Sequence, residues 1–318
     1  MFYPDQTSAG FLHARDEHFI NVRYVIKKKL LGNRFKEAHP KGLPQKIDQV
    51  TGIHASVANF FNNESHLKKL LIGTPNILDS LKSKFQTPKE KASVKLLVRY
   101  DTFIDKKDTT TFRFYNAYHL AENLRQHTCV YCNRLYTQTI ITENREFVAR
   151  PTFDHWFPKG DYPLLALSFY NLVPSCSVCN SSIKGSTALS LSKIFHPYLK
   201  HQHPRDQMDF RFSFDLEDHT KAEGKLIANN VFSQQSIDTM RLAEMYSVHA
   251  EEIRELIYLK KAYSESYLHS LRSILKTPVS NEEIYRLAFG VYVDDDLLYQ
   301  RPLSKLKKDI LTELGLIG

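Results

Sequence analysis

Apolar residues recur at helical spacing over most of the chain, so the pattern of apolar and polar positions predicts a largely helical protein. Residues 16–31 begin with acidic side chains, end with lysines and space their apolar residues as a helix does. Similar patterns cover most of the two terminal thirds of the chain. We predict helices near residues 16–31, 45–61, 64–85, 114–127, 163–170, 234–276, 281–290 and 303–314.

Two neighbouring stretches instead favour β-structure. RLYTQTIIT (134–142) and REFVARPTF (145–153) are rich in β-branched and aromatic residues, and only Glu143 and Asn144 separate them. So short a connection predicts a β-hairpin. A second pair of strands is predicted at 208–215 and 225–230. The expected fold class is therefore α+β and mostly helical.

Predicted secondary structure, charge and cysteine content divide the chain into three predicted regions. Residues 1–112 form a helical, basic N-terminal region, residues 113–205 contain the predicted hairpin and every cysteine, and residues 206–318 form a helical C-terminal region with a small strand pair. The long 234–276 pattern is predicted to pack against its own region, although the same stripe could join two chains in an oligomer. Its apolar face contains Ile253, Leu256, Ile257, Tyr267, Leu271 and Ile274.

Composition places the chain among ordinary globular proteins. Hydrophobic residues make up 42% and charged residues 25% of the sequence, which excludes bulk disorder. The first residues lack the pattern of a secretory signal, and no apolar stretch has the length of a bilayer. We therefore expect a cytoplasmic protein with no membrane partner.

Positive charge is concentrated in the first two regions. The net charge is +8 over residues 1–112, +5 over 113–205 and −5 over 206–318. A polyanion such as DNA is the natural partner of a basic surface, because binding releases the counterions condensed on the phosphates. A solvated surface is the competing explanation, and for a short run such as Lys27 to Lys29 it is the better one.

All four cysteines fall in two Cys-x-x-Cys pairs, Cys129 with Cys132 and Cys176 with Cys179. Each pair can bring two thiolates to one ion, and two pairs complete the tetrahedral sulfur set of a structural zinc site. Disulfide bonds and a redox-active pair are the alternatives. The missing secretory pattern disfavours the first, and the presence of two pairs around one hairpin disfavours the second.

Polar residues suited to phosphodiester hydrolysis lie between and directly after these pairs. Asp154 and Asn180 offer hard oxygen ligands, which suit Mg²⁺ or Mn²⁺. His155 is the candidate general base, because an imidazole titrates near neutrality. A backbone carbonyl held by Asn171 is the candidate group that orients it. Taken singly, Asn171 could be a turn residue and Asn180 a helix cap.

Three basic side chains near this set are candidate nucleic-acid contacts. Lys184 follows Asn180 by four residues, so on an α-helix both would share one face, and Lys184 could contact a phosphate. Lys159 and Arg150 are further candidates for contacts with the phosphate backbone. Each of these charges could equally be an ordinary surface residue.

The motifs together resemble the HNH endonucleases that have a zinc-bound ββα-metal fold. The resemblance covers residues 125–200 and implies a central ββα-metal module stapled by a four-cysteine zinc site and flanked by helical regions. It also implies that Asp154 and Asn180 bind the catalytic Mg²⁺ or Mn²⁺, that His155 is the general base and that Asn171 orients it. The motifs that carry it are Asp154-His155-Trp-Phe-Pro-Lys-Gly, Asn171-Leu-Val-Pro-Ser and Cys176-Ser-Val-Cys179-Asn180-Ser-Ser-Ile-Lys184-Gly.

The run Phe169-Tyr-Asn-Leu-Val-Pro-Ser-Cys-Ser-Val-Cys-Asn, with His196-Pro-Tyr further on, is similar to the HNH subunit of Septu-type bacterial anti-phage systems. That likeness implies a defence role beside an ATPase or another subunit. The expected function is thus metal-dependent hydrolysis of DNA that leaves a 5′-phosphate and a 3′-hydroxyl. The alternative is a zinc-stapled nucleic-acid-binding or scaffold subunit without catalytic activity.

Overall fold

The computed structural model describes residues 1–43, 45–108, 110–218, 221–262, 270, 273–274 and 280–317. These residues form helices and small antiparallel strand pairs, which confirms the predicted α+β class. The α-helices are α1 (Ala9–Leu31), α2 (Ala55–Asn62), α3 (Glu64–Ile72), α4 (Pro75–Leu81), α5 (Pro88–Leu97), α6 (Tyr100–Ile104), α7 (Ala117–Leu124), α8 (Val231–Thr239), α9 (Leu242–Tyr246), α10 (Ala250–Ala262), α11 (Asn281–Phe289) and α12 (Ser304–Glu313). The strands are β1 (Ile140–Ile141), β2 (Phe147–Ala149), β3 (Thr152–His155), β4 (Leu172–Ser175), β5 (Phe210–Asp218) and β6 (Lys221–Ala228).

Helix α1 is the central helix of the N-terminal region. It begins where the Ser8 side chain accepts a hydrogen bond from the Phe11 amide, and it ends at Gly32, whose φ of 56° is readily adopted only by glycine. It packs against α2, α3 and α7. The predicted helix at 16–31 is therefore confirmed, with an earlier start.

The other predicted N-terminal helices are shorter than expected. Residues 45–54 are not helical where described, because the chain enters α2 only after His54, whose side chain caps that helix. The predicted 64–85 helix is divided in two at Gly73, and Pro75 then starts α4 at a position where its missing amide hydrogen costs nothing. The pattern near 114–127 forms α7, capped by Asn116.

The strands of the expected hairpin pair differently from the prediction. Strands β1 and β2 do form a short antiparallel pair, but β2 ends at Ala149. Asp154 and His155 lie on the separate strand β3, which pairs with β4 over all four of its residues. Pro151 stands between β2 and β3, where it cannot donate a ladder hydrogen bond, so one continuous strand was the wrong prediction.

The loop between β3 and β4 and the helix after β4 complete this region. The predicted helix at 163–170 is instead two 3₁₀ turns, Pro163–Leu165 and Phe169–Asn171. After β4 the chain forms a short helix, Val178–Lys184, and its turns are wide enough to be a π-helix. Strand, loop, strand and helix thus follow one another as a compact unit.

The C-terminal region contains the predicted strand pair, β5 with β6, and both predicted short helices, α11 and α12. One helix over 234–276 is wrong for the described residues, because the chain breaks between α8 and α9 at Arg241, which has a φ of 50°. Ile253 and Leu256 on α10 are buried, as expected of a helix packed on its own region. Tyr267 and Leu271 lie outside the described residues.

All three predicted regions contribute to one hydrophobic core, from Phe11 near the start to Ile310 near the end. The C-terminal region contacts the first cysteine pair directly: the Leu303 amide donates to the Asn133 carbonyl at 2.7 Å, and the Tyr246 hydroxyl donates to the Cys132 carbonyl at 2.5 Å. Among the helices described, none combines the length and apolar character needed to cross a bilayer.

Candidate active site and metal centre

The four cysteines come together from two distant parts of the chain. All are buried and unbonded, and their sulfur atoms lie within 4.8 Å of one another, with 4.0 Å between those of Cys132 and Cys176. Four thiolates about 2.3 Å from a zinc ion would lie about 3.8 Å apart, whereas a disulfide needs about 2.05 Å. The four cysteines could therefore hold a metal ion, as predicted, and they are not disulfide-bonded.

Backbone amides support the sulfur atoms. The Arg134 amide lies 3.4 Å from the Cys132 sulfur, and the Cys179 amide lies 3.4 Å from the Cys176 sulfur. These hydrogen bonds favour the thiolate form, which is the form that binds a metal. One sulfur atom of each Cys-x-x-Cys pair thus accepts a hydrogen bond from a backbone amide close by in the sequence.

Asp154 is buried and hydrogen-bonded through both carboxylate oxygens. The Tyr131 hydroxyl donates to Oδ2 at 2.6 Å, and the Lys184 ammonium lies 3.1 Å from Oδ1. Burial raises the pKa of Asp154, while Lys184 and Tyr131 oppose that increase by stabilising the carboxylate. Asp154 is consequently held in place from two sides, by Tyr131 within the first cysteine pair and by Lys184 on the π-helix.

His155, the next residue of β3, faces a different set of groups. Its Nε2 lies 3.0 Å from the Ala166 carbonyl oxygen, and its ring meets the ring of Tyr100 at 4.4 Å between centroids. A carbonyl can only accept, so the neutral ring carries its proton on Nε2 and leaves the Nδ1 lone pair open. Burial lowers the pKa of His155 to about 4, which keeps this neutral form at ordinary pH.

Asn171 holds the loop that contains Ala166. Its side-chain oxygen accepts from the Phe157 amide at 2.7 Å, and its nitrogen donates to the carbonyls of Phe157 and Leu165, each at 3.1 Å. Leu165 directly precedes Ala166. Asn171 therefore fixes the backbone next to the carbonyl that His155 contacts, but it does not bind that Ala166 carbonyl itself.

Asn180 lies on the π-helix, half-buried. Within the part of the chain that the structure describes, its side-chain amide has no hydrogen-bond partner. The backbone bond from the Gly185 amide to the Asn180 carbonyl spans five residues, as in a π-turn. The predicted pair of metal ligands, Asp154 and Asn180, is therefore not joined by a hydrogen bond.

Lys184 lies in a position that the sequence did not predict. Its side chain is 0% exposed, and its ammonium contacts Asp154 and donates to the His155 carbonyl at 2.8 Å. The expected solvent-facing contact with a phosphate is not available in this arrangement. The prediction assumed α-helical spacing, and the wider π-turn changes the direction of Lys184 relative to Asn180.

The other two basic candidates are partly exposed. The Lys159 ammonium lies 4.6 Å from the Tyr100 ring centroid and 3.5 Å from an Asp101 carboxylate oxygen. Arg150 places its guanidinium 5.3 Å from the centroid of the Tyr118 ring and donates to the Pro151 carbonyl. Both residues lie on the chain segments that flank β3.

Two tyrosines of this site were missed from the sequence. Tyr131 lies between the two cysteines of the first pair, so its place in that motif was a usable signal. Tyr100 lies 55 positions before His155, and nothing in the local pattern links them. Only the packing of α6 against β3 brings Tyr100 to the imidazole.

No protein-family model, no curated protein and no solved structure matches this chain. One cluster is made of four thiols, and beside it lie a carboxylate, an imidazole and an ammonium, all buried.

The oxygen atoms of Asp154 and Asn180 are chemically of the kind that binds a hard divalent ion. Asp154 offers a carboxylate and Asn180 an amide oxygen, and Mg²⁺ is commonly bound through one or two carboxylates together with substrate phosphates. The Lys184 ammonium, however, already neutralises Asp154. A divalent ion would have to share this carboxylate with Lys184 or displace it.

Proposed function

We propose that this protein is a metal-dependent endonuclease of the HNH type that hydrolyses phosphodiester bonds in DNA. The single observation that carries the proposal is the state of His155: Nε2 is held by the Ala166 carbonyl, so the neutral ring offers Nδ1 as a base. A general base needs such a fixed tautomer and an accessible lone pair. The neighbouring Asp154 and the ordered loop up to Asn171 are the groups that this reaction would need beside it.

In this proposal β3, the loop, β4 and the π-helix form the ββα-metal module. Cys129, Cys132, Cys176 and Cys179 would together hold a structural zinc ion, and a site filled by four thiolates would stabilise the module rather than take part in catalysis. Asp154 and Asn180 would hold Mg²⁺ or Mn²⁺, which would neutralise charge on the phosphate and the leaving oxygen.

The residues of the chain perform the proton transfer. Nδ1 of His155 takes a proton from the attacking water, and Nε2 keeps its own proton on the Ala166 carbonyl throughout. Asn171 holds the adjoining backbone, so the imidazole does not need to reorganise during the reaction. The positive charge of residues 1–205 would attract the DNA, with Lys159 and Arg150 near the site.

We further propose a cytoplasmic role in bacterial anti-phage defence, with an ATPase or another subunit as partner. Support for this comes from the motif resemblance and from the basic N-terminal two thirds of the chain. The partner is best sought by copurification from the native host, because a nuclease subunit that needs a partner would be silent alone.

The test is cleavage of plasmid DNA with Mg²⁺, Mn²⁺ or EDTA, with and without copurified partners. His155→Ala should lower the rate by about 10²–10⁴, the usual contribution of a general base. His13→Ala, which changes a histidine away from the site, is the matched control and should cleave like the wild type. Equal cleavage by His155→Ala and wild type would refute the assignment of His155.

A second function is favoured by one observation, the Lys184 ammonium at Asp154. If Lys184 permanently takes the place of a divalent ion, the protein is a zinc-stapled nucleic-acid-binding or scaffold subunit without catalysis. Titration with Mn²⁺, followed by electron paramagnetic resonance, separates the two. The endonuclease predicts a site lost in Asp154→Asn, whereas the binding subunit predicts salt-dependent DNA binding and no such site.

A further inference from the structure

We propose that Tyr100, contributed by the N-terminal region, is a positioning residue for His155, with Lys159 holding the tyrosine from the nuclease module. The consequence for catalysis rests on the proposed function. The positioning itself does not, because it concerns the orientation of one imidazole in the folded protein.

The contact between the two rings is close and well defined. The ring centroids of Tyr100 and His155 are 4.4 Å apart and the ring planes meet at 79°, an edge-to-face arrangement. Tyr100 is 8% exposed and so is His155. Each ring therefore covers the other from water, and neither can turn without losing the contact.

The hydrogen bond from Nε2 to Ala166 does not by itself fix the imidazole. A single hydrogen bond holds one atom, and the ring can still tilt about that atom or flip about the Cβ–Cγ bond, which would carry Nε2 away from Ala166 and release the tautomer. A second contact on the ring removes this freedom. Among the described aromatic contacts of His155, Tyr100 is the ring that provides it.

Tyr100 is itself anchored in the N-terminal core. It is the first residue of α6, and Phe103 on the same helix is fully buried against Phe112 and His18, with ring centroids 5.2 and 5.7 Å away. His18 belongs to α1 and lies 2.8 Å from the Leu167 carbonyl through its Nε2. The support of Tyr100 thus reaches back to the same loop that carries Ala166.

Lys159 holds Tyr100 from the other chain segment. Its ammonium lies 4.6 Å from the Tyr100 ring centroid, within the range of a cation–π contact, and Asp101 lies 3.5 Å from it. Lys159 belongs to the loop between β3 and β4. The segments that meet at Tyr100 are therefore α6 of the N-terminal region and the loop of the proposed module, so the helical region has a role in the site.

The experiment compares two substitutions of Tyr100 in the full-length, zinc-loaded protein. Tyr100→Phe keeps the ring, and Tyr100→Leu removes it. The matched controls are Tyr24→Phe and Tyr24→Leu, because Tyr24 also meets a histidine edge-on, His39 at 4.9 Å, and also lies beneath a lysine, Lys28 at 5.8 Å.

The first measurement needs no activity. Nitrogen-15 NMR of labelled histidine, with His155 assigned through His155→Ala, reports the protonation of each ring nitrogen. Wild type, Tyr100→Phe and both Tyr24 variants should show one tautomer with the proton on Nε2, and Tyr100→Leu should show exchange between tautomers. Circular dichroism verifies that every variant is folded. An unchanged His155 signal in folded Tyr100→Leu overturns the proposal.

The second measurement is plasmid cleavage. Tyr100→Leu should lower kcat at least about tenfold with KM within about twofold of wild type, and Tyr100→Phe should stay within about twofold in both. A loss in Tyr100→Phe as large as that in Tyr100→Leu would overturn the positioning role, because the hydroxyl would then be the active group. If no preparation cleaves DNA even with the copurified partners present, the proposed function fails and the NMR result still decides the role of Tyr100.

Discussion

The cysteine cluster and the site around Asp154 and His155 are neighbours that satisfy buried polar groups in opposite ways. The cluster has four sulfur atoms and receives two backbone amide donors, so four thiolates there would need a bound ion to balance their charge. Asp154 instead receives a hydroxyl and an ammonium from the chain itself. One site could therefore hold a metal ion, whereas the other has its buried charge balanced by the chain.

The two sites are also physically linked. Tyr131, inside the first cysteine pair, donates to Asp154, and the second pair leads into the π-helix that carries Lys184. Loss of the cluster should therefore disturb Asp154, whereas loss of the Asp154 contacts should leave the cluster able to bind its ion.

The largest expected effect is on the cluster. Cys176→Ser should abolish zinc binding and unfold the surrounding module, since a structural zinc site contributes on the order of 10 kcal/mol. Zinc per chain by mass spectrometry, together with thermal unfolding, checks this. Ser177 is exposed and lies between Cys176 and Cys179, so Ser177→Ala should keep both the bound zinc and the thermal stability of the wild type. A metal-free Cys176→Ser protein with wild-type stability would contradict the structural role.

The next effect concerns the buried ion pair. Lys184→Met leaves the Asp154 carboxylate buried without its cation, and it should lower the free energy of unfolding by about 3–5 kcal/mol. Adding Asp154→Asn should recover part of that loss, since no buried charge then remains. Urea denaturation of zinc-loaded protein gives both values.

Lys193→Met is the control for Lys184→Met, because Lys193 is exposed in the same predicted region. It should change the free energy of unfolding by less than about 0.5 kcal/mol. If Lys184→Met is as stable as this control, the ion pair between Lys184 and Asp154 does not form in solution.

The smallest predicted effect is the response to acid. Burial lowers the pKa of His155 from 6.5 to about 4, so between these values the unfolded chain binds a proton that the folded chain excludes. Stability is full above pH 6.5 and falls as the pH drops towards 4, by about 1.4 kcal/mol per pH unit for this group.

Denaturation at about pH 6.5 and about pH 5.0 tests this sign. His155→Gln should lose less stability over that interval than wild type, by about 2 kcal/mol. Because both proteins contain the cysteine cluster, release of zinc by acid affects them equally. His13→Gln is the control and should follow wild type. A steeper loss in His155→Gln would show that His155 is protonated in the folded state.

Much of the fold could be predicted from local sequence patterns. Helices α7, α11 and α12 and the pair β5–β6 were predicted because amphipathic periodicity and capping act within a few residues, and α1 was predicted from the helical spacing of its apolar residues. The predictions were wrong where a single backbone conformation or a pairing with a distant strand decided the structure. The left-handed Arg241 divides the long C-terminal pattern, and β3 pairs with β4 across the loop rather than extending the β1–β2 hairpin.

The candidate site residues and their order follow from the sequence alone: two cysteine pairs of fixed spacing, Asp154 beside His155, and Asn171 before the second pair. The inward direction of Lys184 towards Asp154 and the cover that Tyr100 gives to His155 follow only from the tertiary structure. Spacing constrains residues that share one short segment. Contacts between residues far apart in sequence depend on how the apolar faces pack, and packing is set by the whole core at once.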